Sequence, residues 1–171
     1  MKETEFKVFC ELMKDSKRSD RELAKRVGVS QPTVTRARRK LEEEGYIREY
    51  TLVPDFQKLG FELMAVSLLR YKEGITQKEM KRVNEAARKH EIEHPAAFLM
   101  AATGRGLGFE RIFITFHENY SSFVEMTQTV RGLPFRAVAD VDSFIVPLSE
   151  SHYRPFTFSE IAKYLLMQGK K

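Results

Sequence analysis

The sequence predicts an α+β protein built in two parts. Three observations predict it. Up to Gly45, apolar residues recur at spacings of three and four, the period of helices packed on one face. Beyond Gly60, strongly apolar runs alternate with helical stretches. Between the two, Pro54 to Gly60 is a turn-rich connection.

The first helix is expected from about Glu3 to Lys14, with Phe6, Phe9, Cys10 and Met13 on one stripe. Ser19 and Glu22 have the spacing of a capping box, so a second helix starts near Asp20. Leu23, Ala24 and Val27 form its inner face, and Gly28 ends it. Ser30 opens a third helix as N-cap, and Pro32 in the first turn sacrifices no hydrogen bond there. Val34, Ala37 and Leu41 are its buried stripe, and Gly45 stops it. Tyr46 to Val53 read as an extended segment, a small wing.

The second part reads strand, helix, strand, strand, helix, strand. The strands are expected over residues 61–71, 96–103, 109–117 and 135–148, and the helices over 76–90 and 120–130. That order is the split βαβ, or ferredoxin-like βαββαβ, motif. Both helices then cover one face of a four-stranded antiparallel sheet. The other face is apolar and uncovered, which calls for a second subunit. An extra C-terminal helix follows, with Thr157 and Glu160 at its start, Ile161, Leu165 and Leu166 as its stripe, and Gly169 as its stop. The organisation is therefore 1–53, a (winged) helix-turn-helix domain; 54–60, a hinge; 61–148, a ferredoxin-like dimerisation domain; and 149–171, a helical extension.

Composition narrows the function. The chain of 171 residues is 42% hydrophobic and 31% charged, enough for a folded core and outside the disordered range. Its net charge of +5 is compatible with nucleic acid. The single cysteine, Cys10, excludes an internal disulfide and a cysteine-based zinc site. Met1 to Cys10 are charged throughout, unlike a secretory leader, and no apolar run reaches membrane-spanning length. A cytoplasmic protein with no membrane partner is expected.

The third helix carries the chemistry. Residues 31–40 hold four basic residues and no acidic one. A helix-turn-helix needs a small residue in its first helix, a glycine at the turn and apolar locks, supplied here by Ala24, Gly28, Val29 and Val34. Gln31, Thr35 and Arg36, in the first two turns, are the candidates for base edges, where Arg grips guanine and Gln grips adenine. Ser30, Thr33, Arg38, Arg39 and Lys40 are the candidates for phosphates, with Arg48 on the wing as a further one. A run of basic residues is ordinarily just a solvated face. Here it coincides with the turn spacing and two capping signals.

The stretch SDRELAKRVGVSQPTVTRARRKLEEEGYIREYTLVPDFQKLGFEL resembles the helix-turn-helix and hinge of the Lrp/AsnC family of regulators. The βαββαβ order of Phe61 to Leu148 is similar to that family's sensing domain. The resemblance implies a double-stranded DNA partner and homodimers paired through their sheets, assembling further into tetramers or octamers. It also implies an amino acid or other small effector near the loop between strands two and three. That loop is TGRGLGFER, whose Thr103, Gly104, Arg105, Gly106, Gly108 and Glu110 are the candidate effector contacts. Members commonly carry an aspartate there, and this sequence has Arg105 and Phe109-Glu110 in its neighbourhood.

Competing chemistry is weaker. His90-Glu91-Ile92-Glu93-His94 matches the H-E-x-x-H zinc pattern, but Pro95 ends the helix that such a site needs. The glycines of GRGLG lie between two strands, where a turn is expected; a phosphate loop needs a helix N-terminus. His117 and His152 have no partners by spacing. Two other readings stay open. Siroheme decarboxylases are similar in architecture, although the chain has no Trp and lacks their Trp- and His-rich strand pattern. A non-enzymatic interaction module is the other. The favoured expectation is a non-enzymatic regulator without a cofactor or metal.

Overall fold

The computed structural model describes residues 1–93, 98–150 and 157–169, with the side chains of residues 90 and 91 also outside the description. The H-E-x-x-H pattern and His152 therefore lie outside the described residues. The chain forms two compact units, one of residues 1–53 and 153–171, the other of residues 54–152.

The first unit is helical. Its elements are α1 (Glu3–Lys14), α2 (Asp20–Val27) and α3 (Gln31–Glu43). Val8 and Leu12 of α1, Leu23 and Ala24 of α2, and Val34, Ala37 and Leu41 of α3 make one core. The expected capping box is present. Ser19 Oγ accepts from the Glu22 N–H at 3.3 Å, and the Ser19 N–H donates to Glu22 Oε2 at 2.8 Å. The expected wing strand does not form: residues 46–53 pair with no other strand. Instead the segment is stitched back onto α3. The Ile47 N–H donates to the Leu41 carbonyl at 3.1 Å, and the Tyr50 hydroxyl donates to Glu42 Oε1 at 2.7 Å.

The second unit holds β1 (Leu63–Tyr71), α4 (Gln77–Glu93), β2 (Phe98–Gly106), β3 (Phe109–His117), α5 (Tyr120–Arg131) and β4 (Val138–Pro147). The sheet is antiparallel in the order β2-β3-β1-β4, which is the ferredoxin-like arrangement. Strand alternation sorts the two faces. Leu63, Ala65, Leu69, Phe113 and Val141 face α5 and pack on Phe123, Met126 and Val130. Met64, Val66, Leu68, Ile112, Ile114, Phe144 and Val146 take the other face, opposite one another in register. Phe144 is 72% exposed there. At one end, the Phe56 ring from the expected hinge stacks on Phe116 with centroids 3.7 Å apart.

Two boundaries differ from expectation for one reason. β4 begins at Val138, later than residue 135, because Pro134–Arg136 make a 3-10 turn. Phe135 and Arg136 there have φ of 63° and 48°, backbone that excludes a strand. Likewise β2 and β3 run on to a two-residue turn, Leu107 and Gly108, with φ of 54° and 80°. Both central residues being left-handed is the mark of a tight type I′ hairpin. The glycine-rich stretch is mostly strand.

The last helix, α6 (Ser159–Gln168), belongs to the first unit. Its Ala162, Leu165 and Leu166 pack with Phe6, Cys10 and Met13 of α1. Burial pushes the Cys10 thiol up, which favours its protonated form.

Candidate nucleic-acid interface

Gly28 sets the turn between α2 and α3. It sits at φ +77°, a left-handed conformation, and its N–H donates to the Ala24 carbonyl at 2.9 Å. A side chain there would be strained, so glycine is the residue that lets α2 stop and α3 cross it. Pro32 lies in the first turn of α3, as expected. Ser30 occupies the N-cap position with extended backbone, but its hydroxyl does not cap; it bonds Thr33 Oγ1 at 2.8 Å.

The buried stripe of α3 dictates what faces out. With Val34, Ala37 and Leu41 inside, a rotation of 100° per residue puts Pro32, Arg36, Arg39 and Glu43 outermost. Arg36 is exposed, and its Nε donates to the Pro32 carbonyl at 3.3 Å. Among the described residues it has no acidic partner. Arg39 is exposed and paired to Glu43 at 2.7 Å, one turn on. An exposed pair of this kind holds weakly and exchanges readily for another anion. Gln31 is exposed at the N-terminal flank.

Three of the expected contacts are engaged within the protein. The Arg38 side chain is only 21% exposed. Its Nε lies 2.9 Å from Asp20 Oδ1, its Nη2 donates to the Arg18 carbonyl at 2.9 Å, and its guanidinium sits 5.7 Å from the Tyr50 ring centre. Thr35 Oγ1 donates to the other oxygen of Asp20, Oδ2, at 2.6 Å. Lys40 Nζ reaches Glu5 Oε1 of α1 at 2.9 Å and Glu44 at 3.5 Å. The Lys2 N–H and then Lys40 hold the buried Glu5 carboxyl below its ordinary range. Arg38 and Thr35 thus tie α3 to α2, and Lys40 ties it to α1. Sequence spacing does not reveal these links, since only the helix crossing brings Asp20 to Arg38. A second anchor also escaped the sequence: Glu11 accepts from Arg18 Nη1 at 2.6 Å and fixes the α1–α2 connection.

The candidate effector residues lie on the β2–β3 hairpin. Thr103, Gly104, Arg105, Gly106, Gly108 and Glu110 are all exposed. Glu110 Oε2 accepts the Tyr71 N–H at 3.0 Å, which ties it to β1. Among the described residues no cluster of His, Cys, Asp and Glu could hold a metal ion, and no helix is long and apolar enough to cross a membrane.

Residues 1–48 match the family model described as winged helix-turn-helix DNA-binding. The chain is 40% identical over 68 residues to the leucine-responsive regulatory protein of Rhizobium meliloti, a match covering 40% of this chain and 44% of that protein. The match spans less than half the length of such curated relatives. In fold the likeness runs much further. An AsnC family transcriptional regulator from Agrobacterium tumefaciens superposes with a TM-score of 0.74 at 20% identity, over 92% of this chain and 94% of that one. A transcriptional regulator of Neisseria meningitidis, solved as a complex with L-Met, gives 0.74 at 17% identity over 94% and 99%. In sequence the helix-turn-helix is similar to that of leucine-responsive regulators, and in fold the two units are similar to those of AsnC family regulators.

Proposed function

We propose that the chain is a sequence-specific DNA-binding transcription regulator that works as a dimer in the cytoplasm. The observation that carries this reading is the outer face of α3. Gln31 and Arg36 project from its first two turns, and Arg36 lacks an acidic partner among the described residues. A guanidinium left unpaired on a helix locked in place on both flanks suits base-edge recognition in the major groove. Arg39, with Ser30 and Thr33 at the helix start, is suited to phosphates. Arg38, Thr35 and Lys40 serve instead to hold the reading helix.

The dimer reading rests on the open sheet face. Met64, Val66, Leu68, Ile112, Ile114, Phe144 and Val146 form an apolar layer on the side opposite the one that, among the described residues, α5 covers. A two-fold partner would bury it and set two α3 helices on successive grooves. Assembly into tetramers or octamers, and control by an amino acid near the β2–β3 hairpin, extend the same reading. The L-Met complex of the Neisseria protein supports that effector class.

The test is a titration of the promoter region of the chain's own gene across a salt series. Affinity above that for random DNA, falling steeply with salt, is the expected result. Binding equal to random DNA would overturn sequence specificity, and no binding would overturn the DNA role altogether. For the dimer, Phe144→Asp should give monomers in light scattering, and a variant that stays dimeric would remove the sheet face as the interface.

A further inference from the structure

A cleft opens inside the second unit, between the sheet and the two helices that cover it. Leu69, Phe98, Ala101, Phe113 and Val130 line it with apolar surface, and Ala87 of α4 forms part of its roof. Arg111 is the only charged residue among the described residues that line it. The enclosed space of about 40 Å³ fits about three groups the size of a water. An apolar cavity this small suits a short aliphatic tail better than ordered water, which needs polar partners.

Two polar groups at this end of the sheet lack their natural partners. Arg111 is half-buried. Its Nη2 donates to the neutral Asn84 Oδ1 at 2.6 Å, and no described carboxylate pairs with it. Its guanidinium lies 5.9 Å from the centre of the Tyr71 ring. The Tyr71 hydroxyl is buried and has no hydrogen-bond partner among the described residues. An orphaned buried hydroxyl and a half-buried cation without a counter-ion are both costly. A carboxylate supplies the counter-ion that Arg111 lacks, accepting from its guanidinium.

We propose that this cleft binds a short-chain aliphatic carboxylate, its head on Arg111 and its tail between Leu69, Phe113 and Val130. The described lining residues offer no acid to neutralise an ammonium group, so the ligand is a simple carboxylic acid and not an amino acid. The site lies within one subunit and is separate from the β2–β3 hairpin tip. Its occupancy does not depend on the DNA-binding reading; only a consequence for DNA affinity would rest on that reading.

The experiment uses the full chain with 2-methylpropanoate as the probe, read by thermal shift and calorimetric titration. Valine serves as the ammonium-bearing control. The expected result is saturable binding of 2-methylpropanoate, at least tenfold weaker binding of valine, and at least tenfold loss in Arg111→Gln. Ala87→Leu keeps Arg111 but fills the cleft, and should abolish binding even if Arg111→Gln proves unstable. No binding at millimolar probe, equal binding of valine, or undiminished binding to a folded Ala87→Leu variant would each overturn the proposal. Loss of DNA binding with the carboxylate still bound would instead count against the regulator reading alone.

Discussion

Arg38 Nε stands 2.9 Å from Asp20 Oδ1, and this pair joins the recognition helix to the N-terminus of the helix before it. Thr35 completes the clamp from one turn earlier, on the other oxygen of the same carboxylate. Asp20 lies in the first turn of α2, where a negative charge also meets the positive end of the helix. The pair is therefore a joint of the DNA-binding unit. Arg38→Ala should destabilise the protein by about 1.5–3 kcal/mol, since it removes a largely buried ion pair to Asp20 and the hydrogen bond from Nη2 to the Arg18 carbonyl. Chemical denaturation checks this. Arg38→Ala should also leave the salt slope of DNA binding unchanged at temperatures where the variant is folded. A slope reduced by about one would return Arg38 to the phosphate contacts.

Arg36 is expected to behave in the opposite way. Arg36→Ala should leave the unfolding midpoint nearly unchanged, since its one hydrogen bond is to an exposed carbonyl of its own helix. Specific DNA affinity should drop by about 1–3 kcal/mol, with relaxed preference at one base position. Competition binding against operator variants separates this from a general loss of affinity.

Leu107 is 88% exposed and left-handed at the tip of the β2–β3 hairpin. That conformation costs a residue with a β-carbon about 1–2 kcal/mol, and asparagine tolerates it far better. Leu107→Asn should raise stability by about 1 kcal/mol, measured as a shift of the thermal midpoint. A loss of stability would mean that the leucine side chain is covered in the assembled protein.

His117 is buried on the helix-covered face of the sheet. Its Nε2 lies 2.8 Å from Thr115 Oγ1, and its ring packs edge-on to Phe123 at 5.5 Å. Burial lowers its pKa below the ordinary 6.5. The unfolded chain therefore takes up the proton first, and the sign follows: stability from this site is constant above about 6.5 and declines as pH falls below it. His117→Gln should flatten that part of the stability curve between pH 7 and 5. An unchanged slope would show that His117 titrates normally in the folded state.

Ala162 is fully buried where α6 meets α1. Ala162→Leu overfills that contact and should cost about 1–3 kcal/mol. Because the contact lies within the helical unit, the loss should appear in hydrogen exchange of α1 and leave the exchange of β1 and β3 unaltered.

The elements that local chemistry specifies were legible. The Ser19–Glu22 spacing, Gly28 and Pro32 set α2 and α3, and the alternation of Arg111 to Phe116 set β3 at its observed bounds. What escaped the sequence was left-handed backbone without glycine. Phe135 and Arg136 have side chains that favour strand and helix, and tertiary packing holds them in a turn instead. The interface was half legible. Its basic residues could be counted, but the acids that occupy Arg38 and Lys40 lie 18 and 35 positions away in the chain, at Asp20 and Glu5. The docking of α6 was equally hidden, since an apolar stripe says that a helix needs a partner without saying which.

The union of α1 with α6 has a consequence for how the molecule is made. Synthesis, at about 5–20 residues per second, delivers α1 before the sheet, and α1 must wait until α6 emerges to cover Phe6 and Cys10. The helical unit is therefore begun before the sheet and sealed after it. Nascent chains would hold an unsealed α1 while the sheet is already forming, which ties completion of the helical unit to the emergence of α6.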